Sequence, residues 1–457
     1  MPSTNRIAAV LAAFAATATA TTAIAPAAAQ PTGTVAAVRE RGPDLATRRP
    51  ARRHGRMAVE VAAMLGVGTA WYWRRDQGQF GGANVVDWQL GFHGSSFAAK
   101  MSLSRDGWRF DGNSYGLNAV GHPMFGAMTY FMARTNHYTV GESFLISTLA
   151  SGAWETFTEW AEYGSINDML ATSTTGVPLG EAAYQLAHHW RKARFVVATG
   201  AGSEAGATIG SIGVGAALDT SPRAGEGWLA GGRKVSAGLE VALDGGVRSV
   251  EGRAKSSLVG YHRAGPGYQL FAGATTAFEY RDRKDRDGRP WDLLTTIGAG
   301  PTVEARLERG GVTIAAGVDV HAQFGMVRAQ AYDAWRAMNP AAIVRNSMQD
   351  KPRPYYYAGA IALEPRIAVA YRGLDVGGDL TARRLDSLDG ADRDQEMMTA
   401  DPGIHDTDVS ASAWAGYSRA GMRLAVQGRI RHRAGSMDDA RGEASDRTTM
   451  LSLSYER

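Results

Sequence analysis

The sequence predicts an α+β chain: an N-terminal helical domain followed by an antiparallel transmembrane β-barrel of twelve strands, with ten as the alternative. Three observations carry this. The hydrophobic period changes from helical to two near residue 192, the alternating segments run well past ten residues, and their connections alternate between tight and long.

The period of two is clear in VTIAAGVDVHAQFGM, where Val312, Ile314, Val318, Val320 and Phe324 oppose Thr313, Asp319, His321 and Gln323. Successive strand residues point to opposite faces, so such a segment is apolar on one side and polar on the other. A globular strand averages about 5–6 residues, whereas a strand crossing a membrane at a tilt needs about 9–11, with aromatics at both interfaces. Tyr268 and Tyr280 are placed to serve as such a pair. Strands are expected near 231–243, 247–261, 267–281, 291–308, 311–326, 355–371, 374–385, 408–418, 421–433 and 447–456, and glycine-rich 194–218 supplies two more. Arg419-Ala420, Arg372-Gly373, Arg309-Gly310 and 262–266 read as tight turns, while 434–446, 386–407, 327–354 and 282–290 read as long loops. Short turns on one side and long loops on the other fit an outer-membrane barrel with a periplasmic C-terminus. Asp244-Gly245-Gly246 breaks the alternation, and the last aromatic, Tyr455, lies two positions before the end.

Ahead of the barrel, residues 1–29 have Arg6, an apolar run and Ala27-Ala28-Ala29, the pattern of a cleaved secretory signal. Residues 30–56 are Arg-rich and read as a disordered linker. Residues 57–191 read as the helical domain, with helices near 57–73, 114–134, 142–162 and 178–192. The chain has no cysteine, which excludes disulfides, thiolate metal sites, a cysteine nucleophile and a lipoprotein anchor. Gly200, Gly202 and Gly206 imitate a dinucleotide loop, but no βαβ pattern follows. The arginines are scattered, so no nucleic-acid partner is expected for an exported chain.

The helical domain is unusually polar for an apolar rod. Ser147, Ser151, Glu155 and Glu159 recur every four residues and share one helix face. Two carboxylates that close need a shared proton, a cation or an arginine; Arg134 and His122 are the candidates nearest in sequence. Asn118 and His122 stand on the turn before Pro123, where a helix must start or kink. His122, Glu155, Glu159 and Asp168 are therefore the candidate catalytic set, with Asp111, Asn113, Asn118, Arg134, Ser151, Asn167, Thr172 and Glu181 as a supporting polar network. No cofactor is expected; a divalent cation on His122, Glu155 and Glu159 is possible, because carboxylates plus one imidazole suit a hard or borderline ion.

Residues 108–185 resemble an uncharacterised bacterial envelope domain family found ahead of outer-membrane barrels. The resemblance rests on Trp108, Asp111-Gly-Asn113, Asn118, His122-Pro123, Gly126, Ala133-Arg134, Ser151, Trp154-Glu155, Glu159, Ser165-x-Asn167-Asp168, Thr172, Gly176 and Leu179-Gly180-Glu181. It implies no known reaction. The order His, Glu, Ser-x-x-Asp, Gly is also distantly similar to VanZ-like membrane proteins. Three roles follow: a periplasmic or lumen-plugging domain with a structural or gating role, an envelope lipid- or glycan-modifying enzyme of hydrolase type, and a passive channel lined by Arg429, Arg431 and Arg433. The expected location is the cell outer membrane. The expected partners are its lipids and, during insertion, the barrel assembly machinery, with oligomeric state left open.

Overall fold

The computed structural model describes residues 50–76, 94–102, 107–159, 163–204, 207–244, 246–284, 290–345, 347–348, 353–388 and 398–456. The expected signal segment 1–29 and most of the Arg-rich stretch 30–56 lie outside them. The last arginines of that stretch join the fold: helix α1 (His54–Asp76) begins within it, and Arg52 pairs with Glu142 at 2.5 Å.

After α1 come α2 (Gly94–Met101), the two-residue strand β1 (Trp108–Arg109), α3 (His122–Thr135), α4 (Val140–Ala153), a second two-residue strand β2 (Gly164–Ser165), α5 (Ile166–Thr175) and α6 (Ala182–His188). Local chemistry explains these boundaries. Thr139 and Glu142 form a reciprocal capping box that starts α4. The Ser165 hydroxyl accepts from Asp168 N and starts α5. Pro123 follows directly on the π turn Leu117–Gly121, whose last residue is already helical, so the proline sits inside one continuous helical run and its missing N–H falls at the junction between π turn and α3. Three π-helical turns, Leu117–Gly121, Trp154–Thr158 and Gly176–Glu181, interrupt the rods, and such turns gather at functional sites. Helix α5 falls between the helices expected near 142–162 and 178–192.

The rest is the barrel: β3 (Arg194–Glu204), β4 (Ala207–Asp219), β5 (Gly225–Ala230), β6 (Lys234–Leu243), β7 (Val247–Gly265), β8 (Tyr268–Lys284), β9 (Pro290–Arg309), β10 (Val312–Val327), helix α7 (Tyr332–Met338), β11 (Tyr356–Tyr371), β12 (Leu374–Ser387), β13 (Ile404–Arg419), β14 (Met422–Met437) and β15 (Ala440–Glu456). Neighbours pair antiparallel, and β15 pairs with β3 to close the ring. Twelve strands make the wall, as expected. The thirteenth, β5, patches the lower half of β7, which short β6 leaves uncovered. Tight turns use the left-handed backbone that two-residue hairpins need: Arg372-Gly373 and Ala420-Gly421 have positive φ at both positions. Residues 434–446 are not a loop. β14 and β15 continue through them to a two-residue turn at Asp438-Asp439, because a strand projecting past the apolar belt no longer needs an apolar outer face.

The outward face carries an exposed apolar belt that includes Val376, Leu424, Val426, Leu451 and Leu453. The inward face is charged and closed. Arg281 bonds Asp292 at 2.9 Å and Asp408 at 3.1 Å, Arg383 bonds Glu279 at 2.6 Å, and Arg431 bonds Glu251 at 2.6 Å. These groups are almost wholly sealed from solvent, as is Arg433, which is paired with Asp292. Above them the 328–355 connection folds α7 over the mouth, with Trp335 packed against Leu294, Val327, Tyr356, Leu385 and Met437. The arginines expected to line a channel are thus internal counter-ions, and their ion pairs cross the lumen.

The helical domain does not plug it. Its core merges with Ala216, Leu218, Val235, Ala237, Ala254, Phe278, Tyr280, Leu293, Ile297, Met326, Tyr355 and Tyr357. Register shows these to be outward positions. Ala216, Ala237, Ala254, Phe278, Ile297 and Phe324 form one continuous pairing row, and on β8 the residue after Phe278 is the lumen-facing Glu279. Helices lie against the outside of the wall from β4 round to β11. Tyr280, expected at a lipid interface, instead packs 6.3 Å from the Tyr115 ring.

Candidate functional site

The candidate residues come together in two clusters. The first is built on the π turns and the Ser165 cap. Asp111 is its hub: Asn118 Nδ2 donates to Oδ1 at 2.7 Å, Asn113 donates from its backbone N at 3.0 Å and from Nδ2 at 2.9 Å, and Ser165 Oγ donates to Oδ2 at 3.0 Å. Asn167 Oδ1 accepts from Asp111 N at 2.8 Å, and its Nδ2 donates to Asp168 Oδ1 at 2.8 Å. Glu155 Oε2 accepts from Ser165 N at 2.7 Å. Lys100, buried, donates to the carbonyls of Glu155 and Glu159 at 2.6 and 2.8 Å. His122 Nε2 stands 3.2 Å from Asp168 Oδ2.

The cluster is tied to the barrel wall. Asn118 Nδ2 also lies 2.9 and 2.8 Å from the Tyr355 and Tyr357 hydroxyl oxygens, and those hydroxyls donate to the carbonyls of Asn113 and Asp111. Lys100 and the two tyrosines were absent from the candidate set. The run Tyr355-Tyr356-Tyr357 was a usable signal, since in a strand its first and third members share a face. Nothing in the sequence singles out Lys100.

Protonation is divided unequally. Burial pushes Asp168 well above the carboxylate range, and the nearby charges of Asp111 and Glu155 push it further. Burial also raises Glu155, with Glu159 adding to it. Burial would raise Asp111 too, but the hydrogen bonds from the Asn118 side chain and the Asn113 backbone hold that carboxyl low. Burial lowers His122 to about 4. The His122–Asp168 contact is therefore a neutral imidazole beside a neutral acid rather than an ion pair. Groups whose environments drive their pKa values apart take opposite acid and base roles.

Three buried atoms of the cluster, Glu155 Oε1, Asp168 Oδ2 and His122 Nε2, make no aligned hydrogen bond. The ligand oxygens of Glu155, Glu159 and Asp168 lie within 4.8 Å of one another. This all-oxygen set suits a hard cation; Asp168 takes the place expected for His122, which reaches the set only through Asp168.

The second cluster holds Arg134, the expected partner of the Glu155/Glu159 stripe. It turns instead to Glu181, with Nε at 2.7 Å and Nη2 at 3.1 Å. Tyr130 and Gln185 complete that carboxylate at 2.9 and 2.7 Å. Ser151 and Thr172 are buried, and Thr172 Oγ1 has no hydrogen-bond partner.

A family model described as a domain of unknown function (DUF3943) matches residues 107–209, which takes in the site except Lys100, Tyr355 and Tyr357, and β3 with the start of β4. No curated protein matches the chain. Among solved structures, the KdgM porin aligns at 8% identity over 57% of this chain and 98% of its own, with a TM-score of 0.25. The NanC porin aligns at 10% identity over 57% and 98%, with a TM-score of 0.26. The outer membrane protein OprD from Pseudomonas aeruginosa aligns at 9% identity over 58% and 93%, with a TM-score of 0.20.

Proposed function

We propose that the chain is an outer-membrane barrel whose wall carries, on its lipid side, a helical domain that performs acid–base chemistry on an envelope lipid, of hydrolytic type. The observation behind this reading is the set of unmatched buried atoms on His122, Asp168 and Glu155, beside one another. An unpaired buried polar atom costs about 1–3 kcal/mol, and here three of them stand on adjacent acid and base side chains. A set left unpaired is poised for a ligand.

Neutral His122 is the general base and protonated Asp168 the acid, with Asp111 keeping their positions through Asn167 and Ser165. If a divalent cation took part, Glu155, Glu159 and Asp168 would hold it as carboxylates, Asp168 then giving up the acid role, and the ion would supply Lewis-acid polarisation of the substrate oxygen. The closed lumen argues against a channel role. The exposed apolar belt supports placement in the outer membrane, reached through the barrel assembly machinery after removal of residues 1–29. No described helix is long and apolar enough to cross a membrane.

Mass profiling of envelope lipids and glycans in a deletion strain tests the reading. Wild type restores the profile, whereas His122→Ala and Asp168→Ala, present at wild-type level in the outer membrane, do not. Full restoration by both variants would assign the cluster to structure.

A further inference from the structure

Between the helical domain and the outside of the barrel lies a crevice of about 90 Å³, walled by Val120, Pro123, Met124 and Leu179 on one side and by Leu239 and Phe278 on the other. One water needs about 10–15 Å³ of such space, so several would fit, yet the lining is apolar apart from Tyr280 and Arg253, whose guanidinium pairs with Glu279. An apolar occupant is therefore favoured.

Two features say what that occupant is. On the strands that form the floor and its neighbours, the outward positions outside the helical footprint carry Ile212, Val259, Leu270 and Val303, all exposed. The crevice is thus continuous with the apolar belt of the wall. The outer surface of the helical domain is apolar as well: Val59, Val67 and Trp71 on α1, Leu145 and Leu149 on α4, and Phe157 beyond it are exposed. A patch of that extent on a water-facing domain would be a liability, whereas against lipid it needs no cover. The medium that meets both the belt and the helices is hydrocarbon.

The crevice also sits beside the polar cluster. Pro123 lines it, and the preceding residue, His122, turns to Asp168. Val120 and Ala119 line it, and Asn118 turns to Asp111. Consecutive helical residues point about 100° apart, so one helical turn divides an apolar slot from an acid–base site. We propose that this crevice binds one acyl chain of a membrane lipid and thereby brings the polar end of that lipid to His122 and Asp168. The identity of the substrate as a lipid rests on the functional reading above; the acyl-chain site itself rests on the crevice and its surroundings.

The test uses the full mature chain, reconstituted in vesicles of phosphatidylethanolamine and phosphatidylglycerol. The vesicles contain a trace of phospholipid with a photoactivatable group near the end of one acyl chain. Labelling is mapped by mass spectrometry. The site predicts labelling concentrated on 117–124, on 237–239 and around Phe278, above that on Val376 and Val426 of the opposite wall. Ala237→Phe fills the slot from the barrel side and Val120→Trp from the helical side. Each lowers crevice labelling at least about tenfold, the worth of roughly two buried methylenes, with labelling of Val426 unchanged. Heat-modifiable migration checks that each variant keeps its barrel.

Equal labelling of the crevice and the opposite wall in wild-type protein would overturn the proposal whatever the variants do. Undiminished crevice labelling in both folded variants would overturn it too. His122→Ala separates the two ideas. If it leaves the envelope profile intact while crevice labelling persists, the acid–base reading fails and the acyl-chain site stands.

Discussion

His122 Nε2 and Asp168 Oδ2 face each other at 3.2 Å, and neither makes an aligned hydrogen bond. Asp168 is buried and His122 mostly so, and loss of water is the largest influence on the protonation of each. The pair titrates in opposite senses. His122 folded titrates near 4, against about 6.5 unfolded. Between those values the unfolded state binds the extra proton, so the contribution is whole above about 6.5 and is lost as pH falls toward 4. Asp168 is raised on folding, so its contribution is whole below about 3.9 and is lost as pH rises through the folded value. His122→Asn should flatten the acid side of the melting profile followed by far-UV circular dichroism. Asp168→Asn, which imitates the protonated acid, should raise the Tm at neutral pH.

Gly126 marks where α3 and α5 touch. A methyl group added there would stand 1.8 Å from the Thr172 carbonyl oxygen, a backbone atom that cannot swing aside. Gly126→Ala should destabilise the helical domain by about 3 kcal/mol, the upper range for overpacking. Limited proteolysis should show cuts within 107–190 while the barrel keeps its heat-modifiable migration.

Glu181 is fully buried and leans on Arg134. Arg134→Met leaves that charge without its partner, at a cost of about 3–5 kcal/mol. Adding Glu181→Leu should recover most of the loss, since the unpaired charge, rather than the absent pair, is what destabilises. Protease resistance of single and double variants checks this.

The ion pairs that cross the lumen predict silence in planar bilayers. Removing 330–352 strips the α7 cap but leaves the ion-pair layer, so it too should not conduct. Adding Arg281→Ala and Arg433→Ala removes side chains from that layer, and steady conductance steps should then appear.

Strand number, turn chemistry and the polar-in, apolar-out alternation were legible because each is local. The partners of the lumen arginines were not. Arg431 meets Glu251 across 180 positions and Arg433 meets Asp292 across 141, so a charged strand face reads equally as channel lining or as internal counter-ions. The seat of the helical domain was hidden for another reason. Ala216, Ala237 and Ala254 are small apolar outward residues, and such residues suit lipid and helix alike; only their shared register row shows that one body covers them. Most members of the polar cluster were visible as residue types at helical spacing. Their division into a His122–Asp168 pair and an Arg134–Glu181 pair depends on the π turns, which shift side chains off the ideal period of four.

The helical domain sits outside a closed barrel, and neighbouring residues of one strand distinguish that seat from one in the lumen. A photo-crosslinking amino acid placed at Phe278 should capture peptides from 115–124 and 176–186, and the same group at Glu279 should capture only barrel peptides. Helical peptides captured from position 279, and none from 278, would place the domain in the lumen and contradict the account.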